Sequence, residues 1–124
     1  MQPSNMDGHE PHRLIASDKV EGTPVNDRKG NKIGNIERLM IDKKSGRVAY
    51  AVMSFGGFLG VGERHRPLPW RLLEYDVNQS AYVLDLDRDT LEGAPMVEMR
   101  DHGWDESRYG QQLHDYYRVP PYWM

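Results

Sequence analysis

Cysteine is absent from this 124-residue chain, and no stretch approaches the roughly 18 uninterrupted apolar residues that a bilayer-crossing helix requires. Without cysteine there is no thiolate nucleophile, disulfide or cysteine-type zinc site, although that absence alone does not fix the compartment. Met1 to Arg13 lacks both the basic start and the apolar centre of a secretory signal. The expectation is a soluble, cytoplasmic chain with no membrane insertion. An excess of charge is missing too. Sixteen Lys and Arg against nineteen Asp and Glu leave a formal charge of −3 and a pI near 5.9. Phosphate backbones and anionic lipid gain no global attraction from such a chain, which disfavours nucleic acid as partner.

The constellations that carry chemistry are incomplete. Gly57 and Gly62 have the spacing of a phosphate-cradling loop, but Glu63-Arg64 stands where the lysine and the hydroxyl residue are needed. Asp85, Asp87 and Asp89 open like a calcium loop. Its sixth position is then Thr90 instead of glycine and its twelfth Met96 instead of glutamate, so Asp87 reads better as the cap of a short helix ending at Gly93. His9 and His12 form a close pair without a third positioned ligand. Ser17 and Ser54 lack a nucleophile-elbow context. The sequon Asn78-Gln79-Ser80 matters only in a secretory compartment, which nothing here indicates. Neither a catalytic residue, a metal site nor a cofactor is expected.

What is present suits one domain, since 38% apolar and 28% charged residues describe a polar but foldable chain of single-domain length. Residues 1–13 read as a flexible leader. Ser17-Asp18 can cap a helical turn through Val20, stopped at Gly22. Thr23 to Val25 reads as a short strand, with Pro24 favouring an edge or a strand start. Between Lys32 and Asp42 the apolar positions Ile33, Ile36, Leu39 and Ile41 break alternation. This predicts a long strand with a bulge near Gly34, against a competing helical spacing. The turn ending at Gly46 and the β-branched, aromatic run Arg47 to Phe55 favour a hairpin. Apolar residues on both faces of that run make it a central, doubly covered strand. Further short strands are expected at Arg64–Leu68, Glu74–Val77 and Ala81–Asp85, with a helical turn at Trp70–Leu73. His65, between Arg64 and Arg66, should face away from both.

Six of the twelve aromatic residues (Trp104, Tyr109, Tyr116, Tyr117, Tyr122 and Trp123) crowd the end of the chain. The spacing of Tyr109, Leu113, Tyr116 and Tyr117 predicts a helix from about Trp104 to Tyr117, stopping before Pro120-Pro121, with one apolar face that needs a cover. That cover is either the chain's own barrel or another molecule.

The middle of the chain resembles the PRC-barrel domain family. The likeness lies in Gly22-Thr23-Pro24-Val25, Gly30 through Glu37, Ile41-Asp42 with Ser45 through Val52, and Gly56 through Glu63 with Pro69-Trp70. It spans about residues 14–99, leaving 100–124 as an aromatic segment, helical and then extended. The resemblance implies a mainly β fold, a small six-stranded barrel with short helical turns and a C-terminal helical segment. It further implies a binding or assembly role, and it carries no shared catalytic constellation.

The function expected is therefore a non-catalytic protein-interaction or assembly module, with self-association as a homodimer as one form of it. Its interface residues are expected to be Phe55, Phe58, Leu59 and Val61 of the glycine-rich loop and Trp104, Tyr109, Leu113, Tyr116 and Tyr117 of the aromatic segment, because Tyr and Trp bury large area with little rotamer entropy. Two alternatives stand beside it. One is an RNA or ribosome-assembly module, to which Arg64, Arg66 and Arg71 around Trp70 would add a local basic patch. The other is a small-ligand carrier or enzyme, for which no convergent pocket is legible.

Overall fold

A computed structural model describes residues 13–56, 64–94 and 106–121. Six strands form one sheet: β1 (Pro24–Asn26), β2 (Lys32–Ile41), β3 (Val48–Phe55), β4 (Arg64–Pro69), β5 (Leu73–Asp76) and β6 (Ala81–Leu84). Their order is β4-β3-β2-β1-β6-β5, a mainly β half-barrel whose two edges are β4 and β5. Neighbours are antiparallel except β1 and β6, which run parallel. Three helices complete it: α1 (Ser17–Val20), α2 (Arg88–Glu92) and α3 (Glu106–Tyr117), with a 3-10 turn at Trp70–Leu72.

Strand β3 is interior, flanked by β4 and β2, and its two faces are both covered, as its apolar pattern implies, although β2 and β1 hold the middle of the sheet. Ala49, Tyr50, Ala51, Val52, Met53 and Phe55 are all buried. Between Lys32 and Asp42 the strand reading holds over the helical one, and the broken alternation has two causes. Opposite β1, Ile33 is left over where Val25 pairs Gly34 and Asn26 pairs Lys32. Opposite β3, Glu37 is left over where Ile36 pairs Met53 and Arg38 pairs Val52. The extra residue at Glu37 lets Ile36 and Leu39, three apart, share the face of Met53 and Ala51. Gly34 has a separate reason to be glycine: a Cβ there would lie 2.2 Å from the Ser54 carbonyl oxygen.

The short helices show what local chemistry decides. Asp87 caps α2, its Oδ1 accepting from the Thr90 amide at 2.8 Å. The capping expected of Ser17-Asp18 needs correction. Ser17 is the first helical residue, Ala16 holds the cap position, and no side chain bonds there. Most strand boundaries move by one residue: β1 lies at Pro24–Asn26 instead of Thr23–Val25, β3 starts at Val48, β4 runs on to Pro69, β5 lies at Leu73–Asp76 instead of Glu74–Val77, and β6 ends at Leu84.

Helix α3 packs against β4, and its Leu113 and Tyr117 join the barrel core. Leu113 and Tyr117 of the expected apolar face are thus covered by the chain itself. The helix ends in a left-handed residue, Arg118 (φ 59°), with the Val119 amide bonded to the His114 carbonyl and the Arg118 amide to the Asp115 carbonyl. This paired pattern reverses the chain. It sends Val119 to Pro121 back along the barrel, where Val119 packs on the core.

Candidate binding cleft between the barrel and the C-terminal helix

That reversal builds a cleft of about 270 Å³. One wall is the start of β3, with Arg47 and Val48; the other is the end of β4 and the turn after it, with Pro69, Trp70 and Arg71. Pro121 closes one side, and buried Ala49 and His114 also line the cleft. The His114 ring is held by Tyr50, whose hydroxyl lies 3.0 Å from Nε2, and the two rings are tilted at 5.5 Å between centroids. Trp70 is half-buried and stands edge-on to Tyr82 at 5.4 Å; Tyr82 in turn meets Tyr75 at 5.1 Å. Burial, then the neighbouring Tyr75, raises the Tyr82 phenol above its ordinary range.

Charge is unbalanced in this cleft. Arg47 and Arg71 are exposed, and neither has a carboxylate within ion-pair distance among the described residues. The lining residues supply two cations, an indole and proline surface, but no carboxylate, hydroxyl or thiol. Such a set has the chemistry to hold an anion beside an apolar group.

The other arginines flagged in the sequence are engaged elsewhere. Arg66 is buried, its Nε donating to the Leu91 carbonyl at 3.1 Å and its Nη2 to the Glu92 carbonyl at 3.2 Å, so it closes the C-terminal end of α2. It also lies 5.8 Å from the centre of the Phe55 ring. Arg64 pairs with Glu92 at 3.6 Å. His65 points the other way and bonds Glu37. Of the expected basic patch only Arg71 stays beside Trp70, and Arg47 joins it. Sequence reading missed Arg47, His114 and Pro121 because each lies more than twenty residues from Trp70 along the chain.

Of the expected interface residues, Phe55, Leu113 and Tyr117 lie in the chain's own core. Tyr116 is 37% exposed, with its hydroxyl donating to the Thr90 carbonyl at 2.7 Å. Phe58, Leu59, Val61, Trp104 and the Tyr109 side chain lie outside the described residues, as do residues 1–12 with His9 and His12. In the stretch that opens like a calcium loop, Asp85 pairs with Arg28 at 3.0 Å and Asp87 serves α2. Among the described residues no three His, Asp or Glu side chains gather as a metal site, and no helix is long and apolar enough to cross a membrane.

The sequence model of the PRC-barrel domain matches residues 12–91. The chain belongs to the PRC-barrel domain family. Among solved structures, this PRC-barrel is similar to a putative 16S ribosomal RNA processing protein, RimM, from Pseudomonas aeruginosa. The two share 24% identity with a TM-score of 0.41, over 60% of this chain and 45% of that one. The likeness therefore spans less than half of that protein. No curated protein matches the chain. The PRC-barrel match ends at Leu91, so α3 and the reversal that complete the cleft lie beyond it.

Proposed function

We propose that this PRC-barrel is a non-catalytic assembly module that docks an acidic segment of a protein partner in the cleft between Arg47 and Arg71. The observation that carries the reading is the pair of guanidinium groups flanking Trp70 without carboxylate partners among the described residues, in a chain of net negative charge. Arg and Trp dominate binding energy at interfaces because they combine area, planarity and directed donors. Family membership supports a binding role in the same direction.

The test titrates the full chain with a short peptide of glutamate and aspartate around one phenylalanine, and in parallel with a single-stranded RNA oligonucleotide. The expected result is peptide binding that weakens with salt and is lost in Arg47→Glu/Arg71→Glu, with the melting temperature retained. Peptide binding unaffected by the double reversal, or none in the parent chain, overturns the reading. Retention of RNA alone, with a steep salt slope, replaces it by the nucleic-acid alternative. Sedimentation equilibrium of the free chain tests the further suggestion of a homodimer.

A further inference from the structure

The two edges of the sheet differ in kind. On β4, Pro67 and Pro69 carry no N–H, and α3 packs against the strand, so that edge is blunted. At the other end β5 pairs only with β6 among the described residues. Its outer backbone groups can take another strand.

Side chains along β5 alternate, with Glu74 opposite Val83 and Tyr75 opposite Tyr82. Tyr75 is 41% exposed and Val77, just beyond the strand, 40%. A shallow groove over β5 and its neighbour β6 is lined by Arg28, Glu74, Asp76 and Val83, together with Tyr75 and the turn after the strand. The Arg28 guanidinium is already taken by Asp85; Asp76 accepts from the Asn78 amide and from Gln79 Nε2, both at 2.9 Å, yet neither it nor Glu74 has an ion pair among the described residues. The edge therefore offers two carboxylates without an ion-paired cation on one face, Glu74 the freer of them, and aromatic surface on the other.

We propose that β5 receives an extended basic segment of a protein partner as a seventh strand. Basic residues at alternate positions meet Glu74 and Asp76, and an apolar residue between them packs at Tyr75. A second copy of this chain fits poorly, because antiparallel self-pairing of β5 about Tyr75 sets Glu74 of each copy against Asp76 of the other, like charges directly opposed. The site is separate from the cleft at Trp70 and takes the opposite charge.

The experiment titrates the isotope-labelled full chain with a short peptide of alternating arginine and valine, following backbone amide signals. Shifts centred on Leu73 to Asp76 are expected. The same peptide N-methylated along its backbone should bind at least about tenfold more weakly, since it keeps charge but loses strand hydrogen bonds. Glu74→Lys should weaken binding about two- to fivefold, with Glu74→Gln in between, the scale of an exposed ion pair. Three results overturn the proposal: no shifts in β5, equal binding of the N-methylated peptide, or β5 shifts that follow protein concentration without peptide.

Discussion

The Tyr50 hydroxyl and His114 Nε2 lie 3.0 Å apart with both side chains buried, which ties β3 directly to α3. Tyr50→Phe removes one partner of that buried bond and should lower stability by about 1–3 kcal/mol. Tyr117→Phe should behave differently. Its buried hydroxyl has no hydrogen-bond partner among the described residues, and burial holds the phenol well above its ordinary ionisation range. Removing that hydroxyl should be neutral or stabilising. Urea denaturation of the two variants beside the parent chain checks the contrast; equal losses would refute it.

Arg66 is expected to be a structural cation. Arg66→Leu strips the donors that close α2 and should cost about 2–3 kcal/mol, the scale of charge-assisted bonds. Arg66→Lys should recover only part, because a point charge cannot span both carbonyls as the planar fork does. Thermal unfolding followed by circular dichroism measures both.

Gly34 tests the sheet itself. Gly34→Ala brings a methyl against the Ser54 carbonyl and the Phe55 and Met53 side chains, so β2 and β3 must separate locally. The expected loss is about 3 kcal/mol, at the upper end of overpacking costs. Gly46→Ala meets no neighbour but holds φ at +78°, and should cost about 1 kcal/mol. A reversed order in denaturant midpoints would contradict the close approach.

Acid should lower the stability of the chain in a defined window. Asp27 is held below its ordinary value first by the Asn31 amide, Asp42 by the Ser45 hydroxyl, and Asp87 by hydrogen bonds from Thr90. Folding thus favours the ionised forms. Their stabilisation is complete above the unfolded-state value of about 3.9 and is lost as pH falls through the lower folded values. The melting temperature should be level from pH 7 to about 5 in this respect and drop below about 4. Asp42→Asn and Asp87→Asn should each flatten that drop.

Much of the fold was legible because its causes are local. The alternation of Val48 to Phe55, the turn at Gly46 and the Asp87 cap involve residues a few positions apart. The bulge was legible as a broken period, although the decisive extra residue against β3 is Glu37. The cleft was hardly legible. Only Trp70 and Arg71 showed in the sequence, and the basic residues grouped with them by proximity went elsewhere.

The sequence by itself determined that this chain makes a PRC-type sheet with a helix near its end, because hydrophobic period, turn chemistry and capping act over a few residues. Tertiary structure decided which polar groups stay free. Arg66 is consumed by α2, twenty-five residues onward. His114 is held by Tyr50 across sixty-four. Arg47 faces the cleft beside Trp70 only because β3 and β4 pair in a register that sets Tyr50 opposite Pro69. Alternation fixes which way a side chain points, but only the packing of distant elements supplies or withholds its partner.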